Sequence, residues 1–172
     1  MMESTPLDWL LAKTVRAMKV DTHGQSDLHA LAVEALYAAA VDDEPSGIML
    51  PDGTTPRFTG RAVKERPMCN LSYRPDVTAE VVGHGWLVFE VCVSNGKDSA
   101  YHKALAEAGI RGVELFVYPH EVCKHIEASR DAVLIPKLVI GALRRALLTG
   151  TKGNRRWIGK TPVYESESFD LA

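Results

Sequence analysis

Cysteine is scarce in this chain: Cys69, Cys92 and Cys123 are odd in number, stand in no Cys-x-x-Cys pair and lie in apolar or mixed sequence. That distribution argues against a disulfide framework, supplies no zinc motif, and fits reduced thiols in a cytoplasm. Long apolar runs are missing too. None approaches the roughly 20 residues that a membrane helix needs, and the N-terminus has no basic-then-apolar signal segment, so the expectation is a soluble, cytoplasmic protein without a membrane partner. A surplus of charge of one sign is also absent, since 20 Lys and Arg face 22 Asp and Glu for a formal net charge of -2. No global nucleic-acid signature follows from that balance, and no internal repeat is visible.

What is present fits one compact domain with a tail: 172 residues, of which 46% are hydrophobic and 24% charged, are enough for a real core but not for two large ones. The even charge balance hides a local asymmetry. Between Arg130 and Pro162 stand eight basic residues, including Arg144, Arg145, Arg155 and Arg156, against the single acid Asp131. Trp157 beside Arg155 and Arg156 offers a stacking surface next to cations, as single-strand binders use. Arg144, Arg145, Arg155, Arg156 and Trp157 are therefore the candidate nucleic-acid contacts, with an ordinary solvated face as the plain alternative.

Along the chain, Leu7, Leu10, Leu11, Val15 and Met18 predict a short helix in an N-terminal extension over residues 1–25. Ser26 or Asp27 can cap a second helix, whose apolar residues Leu28, Leu31, Ala32, Ala35, Leu36 and Ala39 run up to Asp42-Asp43 and the breaker Pro45-Ser-Gly. It carries His29 and Glu34. From Ile48 to Pro67 the signals are mixed, with a turn at Pro51-Asp-Gly and an irregular strand or loop after it. A helix over about Lys97 to Ala108 stops at Gly109, a good left-handed cap, and a buried strand follows through Val113, Leu115 and Val117. Helical patterning then covers His120 to Ser129 and Ile135 to Leu148. Residues 26–150 form the predicted domain, and 151–172 a basic then acidic tail.

The stretch most like a site runs from Tyr73 to Val93. Val77, Ala79 and Val81 alternate with Asp76, Thr78 and Glu80, and Gly83-His84-Gly85 turns the chain into Trp86-Leu-Val-Phe, the pattern of a hairpin. A three-residue loop gives an even register, which sets Asp76 and Glu90 on one face, opposite or diagonal. A carboxylate between Phe89 and Val91 in an apolar strand must meet water, a partner or a metal. A hard cation such as magnesium takes one or two carboxylates and keeps its other positions for water and phosphate oxygens, so this pair is the candidate phosphodiester-cleaving site. The alternative for Asp76 alone is Pro-Asp turn chemistry.

Arg74-Pro75-Asp76-Val77 and Glu90-Val91-Cys92-Val93, with a Glu-bearing helix in front and a helix and strand behind, resemble the core of the PD-(D/E)XK nucleases. More narrowly, Leu28-His29, Glu34, the Arg-Pro-Asp-Val strand and Trp157 are similar to the CoiA-like competence nucleases. The resemblance implies an α/β, restriction-endonuclease-like core (helix, strand hairpin, helix, strand) with C-terminal helices. It also implies Mg2+ or Mn2+ held by Asp76 and Glu90, with Glu34 as a third acidic ligand, and a nucleic-acid substrate, DNA ahead of RNA. The superfamily pattern places a lysine two residues after the second acid, where this chain has Cys92; Lys103 or Lys97 on the following helix are the candidate substitutes. A catalytically inactive nucleic-acid-binding or protein-interaction module on the same fold, such as a phage or mobile-element regulator, is the alternative, with a protein partner or homodimer.

Overall fold

A computed structural model describes residues 27–66, 74–93, 99–118, 135–150 and 152–160. The elements among the described residues are α1 (Asp27–Val41), β1 (Phe58–Lys64), β2 (Val77–Val81), β3 (Gly85–Cys92), α2 (Ser99–Glu107), β4 (Arg111–Phe116), α3 (Ile135–Thr149) and β5 (Arg155–Gly159), with a 3-10 turn at Lys152–Asn154. The strands form one mixed sheet in the order β1-β2-β3-β4-β5, parallel only between β3 and β4. A parallel pair needs a crossover, and α2 supplies it. The expected helix, hairpin, helix and strand are therefore all present in that order.

Period-two alternation divides the sheet into an apolar and a polar face. Val77, Ala79 and Val81, Leu87, Phe89 and Val91, and Val113, Leu115 and Val117 point to one side, where they join α1 and the Val139, Ala142, Leu143 and Leu147 stripe of α3 in one core. Because α1 packs against both the sheet and α3, it is buried nearly all round, and its small residues Ala30, Ala32, Ala35, Ala39 and Ala40 allow the close approach. The other face is covered by α2, which lies over β5 and β4 and forms a small cluster of Tyr101, Leu105 and Ile158.

Two turns depend on backbone that glycine supplies. The β2-β3 register pairs Val81 with Gly85, so the hairpin loop is Val82-Gly83-His84, one residue earlier than predicted but of the same length. The parity of the register, and hence the shared face, is unchanged by that shift. Gly159 holds φ +73 where β5 crosses beneath α2, and a Cβ there would collide with the Ile110 carbonyl and lie 2.9 Å from Leu105 Cβ.

The mixed stretch after Ile48 holds the expected turn at Pro51-Asp-Gly, spanned by Leu50 N donating to Thr54 O at 2.9 Å, and the strand after it is β1. One expectation about the chain changes. The supposed tail starts with a strand: Arg155–Gly159 pairs antiparallel with β4, from Arg111 opposite Gly159 to Leu115 opposite Arg155. The basic residues masked this strand, because β5 completes its pattern with Ile158 on one face and Trp157 on the other rather than with an apolar run. The N-terminal extension, the helix expected at His120 to Ser129 and the acidic C-terminal end lie outside the described residues. No helix among the described residues is long and apolar enough to cross a membrane.

Candidate active site

Asp76 immediately precedes β2, and the β2-β3 register runs from Val81 opposite Gly85 to Val77 opposite Phe89. Asp76 precedes Val77 and Glu90 follows Phe89, so the two acids flank the last pair of that register. Next to it, the parallel β3-β4 register pairs Glu90 with Glu114, and β4-β5 pairs Glu114 with Arg156. A polar row of Asp76, Glu90, Glu114 and Arg156 thus crosses the sheet, its three acids almost wholly removed from solvent at 3%, 0% and 0% exposure. Buried carboxylates need compensation from donors, cations or protons.

Each acid has a distinct set of neighbours. Asp76 Oδ2 accepts the Val91 N–H at 2.8 Å and lies 3.1 Å from His29 Nε2 on the first turn of α1. An ionised carboxylate only accepts, so in that state the imidazole is the donor. Glu90 Oε1 accepts from the Tyr101 hydroxyl of α2. Glu114 takes a forked contact from Arg156, with Nε at 2.8 Å and Nη2 at 2.5 Å from Oε2, while His102 Nε2 stands 3.1 Å from Oε1. The Tyr101 phenol is pushed well above its ordinary value by burial first, then by the charge and hydrogen bond of Glu90, then by the charges of Asp76 and Glu114. It therefore acts as a neutral donor across the physiological range.

The remaining expected site residues are spread more widely. Lys103 does not face the acids: the inward positions of α2 are Tyr101 and Leu105, and Lys103, two residues from each, is 77% exposed at its side chain and lies 3.7 Å from Glu107 one turn on. Helical geometry is the reason, because a step of two residues rotates a side chain to the far side. Lys97 lies outside the described residues. Glu34 is engaged with Lys64 of β1, whose ammonium also sits 5.4 Å from the Tyr37 ring. Among the described residues no three or more His, Cys, Asp and Glu gather into a group that could hold a metal. Cys92, at the position of the pattern's lysine, is buried, with Sγ 4.0 Å from the Glu90 carbonyl.

The candidate nucleic-acid residues do not share one surface. Arg155 is 5% exposed and closes the C-terminal end of α3, donating from Nη2 to the Ala146 carbonyl at 3.1 Å and the Leu147 carbonyl at 2.6 Å. Burial lowers its pKa to about 10. Trp157 packs partly into the main core, with the Arg111 guanidinium 5.5 Å from its ring centre, whereas Arg156 projects from the opposite face of β5. Arg144 bonds Asp42 at 3.2 Å and Ser46 at 2.8 Å, and Arg145 is exposed on α3. Alternation along β5 separates the supposed patch, and the same alternation delivers Arg156 to the acidic row.

Tyr101, His102 and Glu114 were not legible as site residues. Glu114 sits in the apolar run Val113-Glu-Leu-Phe, where the same exception already singled out Glu90, so one rule applied twice would have found it. Tyr101 and His102 carried no such signal. No family model, curated protein or solved structure matches the chain.

Proposed function

We propose that this chain is a metal-dependent, nuclease-like protein that acts on phosphodiester bonds of DNA or RNA, on a restriction-endonuclease-like core, with Asp76 and Glu90 as the carboxylates that hold Mg2+ or Mn2+. The observation that carries this is a pair of almost fully buried acids flanking the last β2-β3 pair, Asp76 just before Val77 and Glu90 just after Phe89. Their donors are all oxygen, which suits a small hard cation that binds through one or two carboxylates. When bound, such an ion supplies Lewis-acid polarisation of a phosphoryl oxygen and acidifies a coordinated water.

The chain's own residues orient that pair. The Val91 N–H and His29 hold one oxygen of Asp76, and the Tyr101 hydroxyl holds one oxygen of Glu90, so both carboxylates are restrained before any ligand arrives. His29 supports Asp76 from α1. The test is cleavage of single- and double-stranded DNA and RNA in Mn2+: activity should disappear in Asp76→Asn and Glu90→Gln. Cleavage unchanged in both variants would refute the assignment.

A second reading has its own observation. Cys92 replaces the motif lysine and Lys103 faces solvent, so the fold can equally serve as a non-catalytic nucleic-acid-binding or protein-interaction module. That version predicts nucleic-acid or protein binding without cleavage at any divalent-ion concentration.

A further inference from the structure

Beside the acidic pair lies a second constellation that the pattern of two acids does not use. Glu114 is fully buried, yet it gathers two cation-forming side chains that reach the surface: Arg156, whose side chain is 54% exposed, and His102, whose side chain is 26% exposed. The Arg156 guanidinium spends Nε–H and one Nη2–H on Glu114 Oε2, which leaves three further N–H groups in a rigid fork. Its cation also lies over the Phe116 ring, 5.9 Å from its centre, so both a carboxylate and an aromatic face restrict its position. His102 is fixed through Nε2, so its Nδ1 is the ring nitrogen available to an incoming group.

The position of this pair matters more than its charge. Glu114 is the direct parallel neighbour of Glu90, and His102 follows Tyr101, whose hydroxyl is bonded to Glu90. The cation pair is therefore one strand from the proposed metal-binding acids. A phosphodiester held at those acids carries non-bridging oxygens that need donors, and Arg offers a planar fork matched to phosphate. Elsewhere in the nuclease pattern a lysine would serve that purpose, but here its position holds Cys92.

We infer that His102 and Arg156, organised by the buried Glu114, form the subsite that binds the phosphate of a nucleic-acid substrate and supply the positive charge missing at Cys92. This rests on the proposed phosphodiester function of the neighbouring acids. In it Arg156 contacts a non-bridging phosphate oxygen, and His102 donates a second hydrogen bond from Nδ1 when protonated. Glu114 is a positioning residue, because it acts through the two side chains and lies beneath them.

The experiment separates this subsite from the metal-binding acids. The full chain, free of divalent ions, is titrated with a thymidine dinucleotide monophosphate at low salt while the His102 ring resonances and the Arg side-chain N–H resonances are followed by NMR. Binding should shift His102 and Arg156, Arg156→Gln should weaken it by about tenfold or more, and Arg156→Lys should recover part of the loss. Asp76→Asn should leave the dinucleotide affinity within about twofold of wild type while abolishing Mn2+-dependent cleavage, because it removes the metal acid and not the phosphate donors. In Mn2+, His102→Gln and Arg156→Gln should lower the cleavage rate without changing Mn2+ affinity. Absence of His102 and Arg156 shifts in the wild-type chain overturns the subsite, as does unchanged affinity in a folded Arg156→Gln variant. Loss of cleavage in Asp76→Asn with no dinucleotide binding at Arg156 would refute the subsite alone and leave the metal-binding acids standing.

Discussion

Replacing Tyr101 by Phe removes one oxygen from the centre of the site and little else. The ring continues to pack with Leu105 and Ile158, so the packing loss is small, but the hydroxyl donor to Glu90 disappears from a carboxylate with 0% exposure. Loss of a donor to a buried charged group costs about 1–3 kcal/mol. Taking about 2 kcal/mol, and about 2–4 °C per kcal/mol for a chain of this size, the melting temperature at pH 7 should fall by about 4–8 °C. The pH dependence supplies an independent sign. The Tyr101 pKa is raised on folding, so its contribution is fully present below the unfolded value of 10.0 and is lost as pH climbs above it. Urea unfolding at pH 7 and pH 11 should therefore show wild type losing more stability over that interval than Tyr101→Phe. The same variant should bind Mn2+ more weakly, because the hydroxyl that holds Glu90 Oε1 in place is gone. Equal stability at pH 7 together with an unchanged alkaline slope would refute the buried Tyr101–Glu90 bond.

Other changes test the frame around the site. Gly159→Ala forces a Cβ toward the Ile110 carbonyl at φ +73, and should destabilise by about 2–4 kcal/mol in chemical denaturation. Arg155→Met leaves the Ala146 and Leu147 carbonyls without their guanidinium donor and should cost about 1–3 kcal/mol in the same assay. If the chain binds DNA, Arg156→Gln should reduce the slope of log affinity against log salt by about one, and Arg155→Met should leave it unchanged, because Arg155 is buried.

The legible part of this fold is the part governed by a single strong period. Val77, Ala79 and Val81 set against Leu87, Phe89 and Val91 fixed one hairpin face, and that parity survives a loop one residue away from its expected place. Burial of Val113, Leu115 and Val117 was legible for the same reason. Shorter signals were ambiguous. Five residues beginning Arg-Arg resemble a charged tail until β4 supplies their hydrogen bonds, and the partner strand lies more than thirty positions away along the chain. On α2 only Tyr101 and Leu105 are buried, too few to define an inward face from sequence, and Lys103 lies off that face. Glu114 was hidden by its apolar neighbours, and its partners His102 and Arg156 reach it only on folding.

Binding of one divalent cation by Asp76 and Glu90 is the proposal on which the function rests. Calorimetric titration of Mn2+ into the full chain, into Asp76→Asn and into Glu90→Gln measures it directly. These substitutions keep side-chain shape, and the Asn carbonyl can still accept the Val91 N–H, so folding is preserved while charge is removed. The expected result is one Mn2+ per chain for the wild type, with affinity reduced at least about tenfold in each variant. Absence of Mn2+ binding by the folded wild-type chain, or equal affinity in all three proteins, would contradict the claim.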